Sequence, residues 1–211
     1  ILLDRTGSMQ GLWDEALSSI NAYAENLGQP DASGKSVDAR VTLAAFDAQE
    51  GLKFDILRRD VAPAAWKKIT NDDATPRGMT PLFDAIGRIV SVAEQDSPEK
   101  AVIVIMTDGE ENASTEMKKS DAKAALDRAQ KRGWQVVFLG ADFAKFADAD
   151  AVGVSRAKQM AVSPGKMGDT MRLLGEKTKS YGQSSNYSVE FGAEDRAKAE
   201  EEKVKQKSQK Q

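Results

Sequence analysis

Two rhythms of apolar residues run along the chain. One repeats every three or four positions and the other forms short unbroken blocks. Ile1-Leu2-Leu3 is a block that ends abruptly at Asp4. Trp13, Ala16, Leu17, Ile20, Ala24 and Leu27 then follow the helical period, and Gly28 and Pro30 close that helix. Val41 to Phe46 is a strand-like block, and Leu52 to Val61 is a second, less regular strand. The connection Asp47-Ala48-Gln49-Glu50-Gly51 is shorter than the roughly dozen residues a parallel crossover needs. The two strands are therefore expected to form an antiparallel hairpin with the second at the sheet edge. Pro63 to Ile69 reads as a short helix bearing Trp66.

The second half alternates more plainly. Thr80 is placed as an N-cap and Pro81 as the first residue of a helix lined by Leu82, Ala85, Ile86, Ile89 and Ala93. Ala101 to Met106 is almost wholly apolar and β-branched, as a buried parallel strand should be. A helix over 115–132 closed by Gly133, a strand from Trp134 to Leu139, a weak strand near 160–162 and a helix over 165–181 follow. The pattern predicts an α/β fold: a doubly wound, mostly parallel central sheet with one antiparallel edge hairpin and helices on both faces. Residues 1–182 form this domain. Residues 183–211 turn polar and charged and are expected to be a disordered tail or a lone helix. Trp13, Trp66 and Trp134 are assigned to the core.

Composition narrows the chemistry. There is no Cys and no His among the 211 residues. Disulfides, thiolate zinc sites, cysteine nucleophiles and imidazole bases are thereby excluded. A net charge of −3 gives no general case for nucleic-acid binding. No apolar run approaches the ~20 residues of a membrane helix, and no signal peptide is visible. A cytoplasmic location is the expectation, and the lack of Cys suits it. Any chemistry must rest on carboxylates, hydroxyls, amines or a bound cation.

Oxygen donors are concentrated where strands end. Asp4, Thr6 and Ser8 are spaced so that an extended segment turns all three to one side. Oxygen is the donor hard cations such as Mg²⁺ prefer. The same stretch also reads as a strand followed by a helix capped by Thr6 or Ser8. Asp108 ends the Ala101–Met106 block within Thr107-Asp108-Gly109, and Thr80 lies in the loop Gly78-Met79-Thr80-Pro81. In doubly wound sheets ligands bind beyond the carboxyl ends of the strands, at a switch point. Asp72 and Asp73 read as turn residues. Glu110 and Glu111 suit either a site rim or the start of the next helix. Asp142, Asp148 and Asp150 fit no Ca²⁺ loop and read as a solvated loop. Gly34-Lys35-Ser36 lies between a helix and a strand with the wrong glycine spacing, which excludes a phosphate loop.

With these residues in place, the chain resembles a von Willebrand factor type A (VWA) domain with a metal-ion-dependent adhesion site (MIDAS). The family's Asp-x-Ser/Thr-x-Ser segment is matched by Asp4, Thr6 and Ser8, its loop threonine by Thr80, and its strand-end aspartate by Asp108. The flavour, Asp-Arg-Thr-Gly-Ser-Met and Thr-Asp-Gly-Glu-Glu-Asn, is that of stand-alone bacterial and phage-type members. The resemblance implies Mg²⁺ or Mn²⁺ held by Asp4, Thr6, Ser8, Thr80 and Asp108. It also implies a binding or adaptor role that captures an Asp or Glu of a protein partner, within an assembly complex or beside an AAA+ ATPase, and no enzymatic activity. The alternative is a Mg²⁺-dependent phosphoryl-transfer or hydrolytic enzyme using Asp4. Thr6 stands where aspartyl-phosphate hydrolases carry a second aspartate, which counts against it.

Overall fold

A computed structural model describes residues 1–141, 147–184 and 186–208. Its strands are β1 Leu2–Asp4, β2 Val41–Ala48, β3 Leu52–Val61, β4 Val102–Thr107, β5 Gln135–Ala141 and β6 Gln159–Val162. They form one sheet in the order β3-β2-β1-β4-β5-β6. All neighbours are parallel except β2 and β3, which are antiparallel with β3 at the edge. The short connection between them dictates this, as expected.

The helices are α1 Trp13–Leu27, α2 Leu82–Asp96, α3 Lys119–Lys131, α4 Ala147–Ala151, α5 Met167–Gln183, α6 Ala193–Lys198 and α7 Glu201–Ser208. Successive strand side chains alternate between two cores. Leu3, Val104, Met106, Val137 and Leu139 pack against Ile20 of α1 and Leu174 of α5. Leu2, Ile103, Ile105, Val136 and Phe138 pack against Ile86 of α2 and Leu126 of α3. Each fully buried Leu, Ile or Phe contributes about 1.5–3 kcal/mol. The double layer therefore fixes the register of the central strands, since a slip of one residue would exchange the two faces.

The chain leaves β1 for β2 on one side, while β4 lies on the other. This is the switch point, and the register Leu3↔Met106 sets the carboxyl ends of β1 and β4 side by side. Asp4 and Asp108 meet for that reason.

Several elements depart from expectation. Pro63–Ala65 forms only a single 3-10 turn, and Trp66 is half-buried rather than core. Its indole N–H donates to Asn21 Oδ1 at 3.0 Å, and the Arg58 guanidinium lies 6.0 Å from its ring centroid. Trp13 and Trp134 are buried. Helix α3 starts at Lys119 rather than 115, because the carboxylate of Asp84 takes the backbone N–H groups of residues 115–117. Pro81, not Thr80, occupies the N-cap of α2.

The segment after residue 183 is neither disordered nor a lone helix where it is described. Val189, Phe191 and Ala199 join the core on the α1 and α5 side, and Val204 is buried. The Glu201 carboxylate, buried in the seam, accepts the Ala161 N–H of β6 at 3.1 Å. It also pairs with Arg156 at 3.0 Å, Arg196 at 2.9 Å and Lys205 at 3.0 Å. A polar segment docks here because a few apolar anchors are buried and the one buried acid is neutralised by cations. Residues 142–146, including Asp142 of the expected solvated loop, lie outside the described residues. Asp148 and Asp150 fall on α4, where they accept the Glu111 N–H and the Gln159 amide. Among the described residues no helix is long and apolar enough to cross a membrane.

Candidate metal centre

Three chain segments meet beyond the carboxyl ends of β1 and β4. The first leaves β1 at Asp4 and passes into a 3-10 turn, Gly7–Gly11. Asp4 is fully buried. Its Oδ1 accepts the Thr6 N–H at 2.8 Å, and its Oδ2 accepts the Thr107 hydroxyl at 2.5 Å. Burial pushes the Asp4 carboxyl up to about 6. The hydrogen bonds from Thr107 and Thr6 oppose the rise, and Asp108 adds to it.

In front of Asp4 stand the hydroxyls. Thr6 Oγ1 and Ser8 Oγ are 3.1 Å apart, and Ser8 Oγ donates to Asp108 Oδ1 at 2.8 Å. Thr80, also buried, completes the group from the second segment. A Cβ placed on Gly109 would lie 3.1 Å from Thr80 Oγ1 and 3.6 Å from Ser8 Oγ. Any side chain at 109 would fill the point these hydroxyls face, so glycine keeps the cradle open.

The loop carrying Thr80 is fastened on both sides. Gly7 N–H donates to Gly78 O at 3.2 Å, and Arg77 N–H donates to Arg5 O at 2.7 Å. Gly78 has φ +69°, and a Cβ there would come within 2.4 Å of Ala48 O. Only glycine fits. Asn112 pairs with Thr80 in both directions, its Oδ1 accepting the Thr80 N–H at 2.9 Å and its N–H donating to Thr80 O at 3.0 Å.

Arg5 and Asp47 form the buried part of an ion network whose other members, Asp55 and Arg77, are exposed. Arg5 Nε donates to Asp47 Oδ1 at 2.6 Å and its Nη2 to Asp55 Oδ2 at 2.5 Å. Arg77 Nε reaches the other Asp47 oxygen at 3.1 Å. Asp47 thus ties the first segment to the Thr80 loop.

The third segment, 108–118, wraps the N-terminus of α2. Glu111 accepts the N–H groups of Phe83, Ala113 and Ser114 at 2.9, 2.9 and 2.7 Å. Asp84 accepts those of Thr115, Glu116 and Met117 at 2.9, 3.1 and 2.7 Å. Of the two readings of Glu111, a helix-start role is the one realised, but the helix is α2 rather than α3. Asp84, Asn112, Asp47 and Thr107 are supporting residues that motif reading missed. Asp84 carried a signal, a carboxylate within the apolar run Leu82-Phe83-Asp84-Ala85-Ile86.

The donor set is two carboxylates and three hydroxyls. Among the described residues no three acidic side chains cluster as metal ligands. The oxygen spacing nevertheless suits a small cation. Ligands at about 2.0–2.1 Å around an octahedral Mg²⁺ stand about 2.9 Å from their neighbours, and the Thr6–Ser8 and Ser8–Asp108 separations are 3.1 and 2.8 Å.

A doubly wound sheet with oxygen donors gathered at its switch point defines the class: an α/β, Rossmann-like domain. Within that class the chain belongs to the von Willebrand factor type A domain family, whose model matches residues 1–168. These domains generally serve adhesion or protein binding, often with a metal. The fold is similar to that of manganese-loaded Plasmodium vivax TRAP protein, at 15% identity and TM-score 0.55, over 80% of this chain and 68% of that one. It is also similar to a von Willebrand factor type A protein from Catenulispora acidiphila, at 15% identity and TM-score 0.53, over 84% and 41%. Proximal thread matrix protein 1 of the mussel byssus matches at 14% identity and TM-score 0.57, over 82% and 45%. The chain thus spans less than half of the last two, and at these identities the likeness is one of fold. No curated sequence matches the chain.

Proposed function

We propose that this domain is a cation-dependent protein-binding module of the stand-alone bacterial or phage type. Asp4, Thr6, Ser8, Thr80 and Asp108 hold Mg²⁺ or Mn²⁺ as a metal-ion-dependent adhesion site. The observation that carries the reading is the spacing of the Thr6, Ser8 and Asp108 oxygens at 2.8–3.1 Å in front of the buried Asp4. The manganese in the similar TRAP protein supports it.

When bound, the cation supplies a Lewis-acidic point that attracts a carboxylate from a partner. The chain's own residues determine how strongly. Both Asp4 oxygens are already engaged, by the Thr6 N–H and the Thr107 hydroxyl. Asp4 therefore orients the Thr6 turn, provides negative potential, and keeps one lone pair on each oxygen for the cation or a bridging water. The neutral hydroxyls of Thr6, Ser8 and Thr80 quench little of a cation's charge and leave it attractive to an outside acid. Ser8 is exposed and opens the site to solvent. We favour binding over the enzymatic alternative, because Thr6 stands where aspartyl-phosphate hydrolases carry a second aspartate. The partner is a protein presenting Asp or Glu.

Affinity capture from the source cells tests this. A partner should be retained in Mg²⁺, released by chelator and absent with Asp4→Ala. Retention indifferent to both changes would overturn the reading.

A further inference from the structure

We infer that Asn112, outside the five-residue donor set, is the positioning residue that holds the Thr80 hydroxyl in place for the cation. The inference rests on the cation reading above and names the residue on which one of its donors depends. Asp4, Thr6 and Ser8 follow β1, and Asp108 follows β4, so the sheet itself sets where they stand. Thr80 comes instead from the loop ahead of α2 and needs its own fixing. Pro81 after it restricts its backbone to an extended conformation. On its other side Met79 and Ala48 exchange backbone hydrogen bonds at 2.9 and 3.2 Å.

What remains to be held is the backbone of Thr80 itself. Thr80 is 2% exposed, so its N–H and C=O need protein partners. Asn112 supplies both. Its side-chain Oδ1 accepts the Thr80 N–H at 2.9 Å, and its own N–H donates to Thr80 O at 3.0 Å. Two bonds from one residue fix the Thr80 backbone in position and in rotation. A β-branched side chain has few χ1 choices, so fixing the backbone also fixes the hydroxyl.

Asn112 also ties Thr80 to the segment that carries Asp108. The residues beside it are anchored. Glu111 N–H donates to Asp148 Oδ2 at 2.9 Å, and the Glu111 carboxylate accepts the N–H groups of Ala113 and Ser114 at 2.9 and 2.7 Å. Within the same segment, a Cβ on Gly109 would lie 3.1 Å from Thr80 Oγ1. Asn112 itself is exposed, so core packing does not account for its place, whereas the two bonds to Thr80 do. Its neutral amide makes the side-chain bond without adding charge beside the centre.

A double-mutant cycle tests this. Calorimetry gives the Mg²⁺ affinity of wild type, Asn112→Ala, Thr80→Val and the pair, and hydrogen exchange is followed on the metal-free chains. Asn112→Ala should weaken Mg²⁺ binding about tenfold, the scale on which loss of an outer partner of a ligand acts. Thr80→Val should weaken it too, and adding Asn112→Ala to Thr80→Val should change affinity by less than about twofold, because Asn112 acts through the Thr80 hydroxyl. In Asn112→Ala the Thr80 amide should exchange faster while those of Ala113 and Ser114, bonded to Glu111, stay protected. Asn112→Asp, which keeps the acceptor oxygen, should restore the Thr80 amide. With saturable binding in wild type, four results would overturn the inference and leave the cation reading standing. They are undiminished affinity in Asn112→Ala or in Thr80→Val, an Asn112→Ala loss just as large in the Thr80→Val background, a Thr80 amide that is unaffected or not restored, and loss of protection at Ala113 and Ser114 as well. No saturable Mg²⁺ binding in wild type would defeat the cation reading and the inference with it.

Discussion

Asp84 is the residue whose removal should reach furthest. It is 1% exposed and sits in the first turn of α2. Its carboxylate receives the backbone N–H groups of Thr115, Glu116 and Met117, which anchor the loop that follows Asp108. A hydrogen bond to a charged acceptor is worth about 1.5–3 kcal/mol. The three share one acceptor and face a partly hydrated loop, so Asp84→Ala should cost about 3–5 kcal/mol rather than the full sum. For a chain of this size that lowers Tm by about 10 °C. Asp84→Asn should cost about half as much, because one oxygen remains while its NH₂ faces N–H donors. Denaturant unfolding gives the stability, and hydrogen exchange at residues 115–117 gives the local effect. The loosened loop should also weaken cation binding through Asp108. A loss below about 1 kcal/mol in Asp84→Ala, with amides 115–117 still protected, would refute the reasoning.

Asp47→Ala should cost about 3–5 kcal/mol in denaturant unfolding, because it leaves the buried Arg5 guanidinium with Asp55 alone. A near-neutral result would show that the network is dispensable. Phe191→Ala should cost about 3 kcal/mol, because Phe191 is a core anchor of the C-terminal segment; an unchanged melting curve would return that segment to the status of a tail. In metal-free protein the Asp4 carboxyl is raised from 3.8 to about 6. The folded state therefore keeps a proton the unfolded state releases, and stability falls by about 3 kcal/mol as pH rises from about 4 through 6. A bound cation offsets that loss. The Mg²⁺-induced rise in Tm should thus be small at pH 5 and full at pH 7.5, and equal rises at both would contradict it.

Much of the fold was legible because its signals are local. The block Ala101–Met106, the helical stripe from Trp13 to Leu27 and the short connection after β2 each carry their outcome in a few residues. The oxygen donors were legible because they sit at strand ends whose adjacency follows from the winding of the sheet. What remained hidden depends on partners distant in sequence. The start of α3 is moved by Asp84, more than thirty residues upstream. Glu111 serves α2 rather than the helix that follows it. The C-terminal segment looks too polar to pack. Its docking rests on Val189, Phe191 and the pairing of Glu201 with three cations and one backbone N–H, which average composition conceals. Trp66, expected in the core by residue type alone, packs only at its edge, with its indole N–H donating to the buried Asn21 of α1.

We propose that Asp4, Thr6, Ser8, Asp108 and the loop residue Thr80 together hold one divalent cation beyond the carboxyl ends of β1 and β4. Calorimetric titration of the metal-free chain with Mg²⁺ and Mn²⁺ at pH 7.5 tests it most directly, with wild type beside Asp108→Ala, Thr6→Val and the Asp4→Asn/Asp108→Ala double variant. Wild type should show a single saturable site, weakened in each single variant and lost in the double variant, with circular dichroism showing the fold retained. Absence of saturable binding in wild type, or undiminished binding in the double variant, would contradict it.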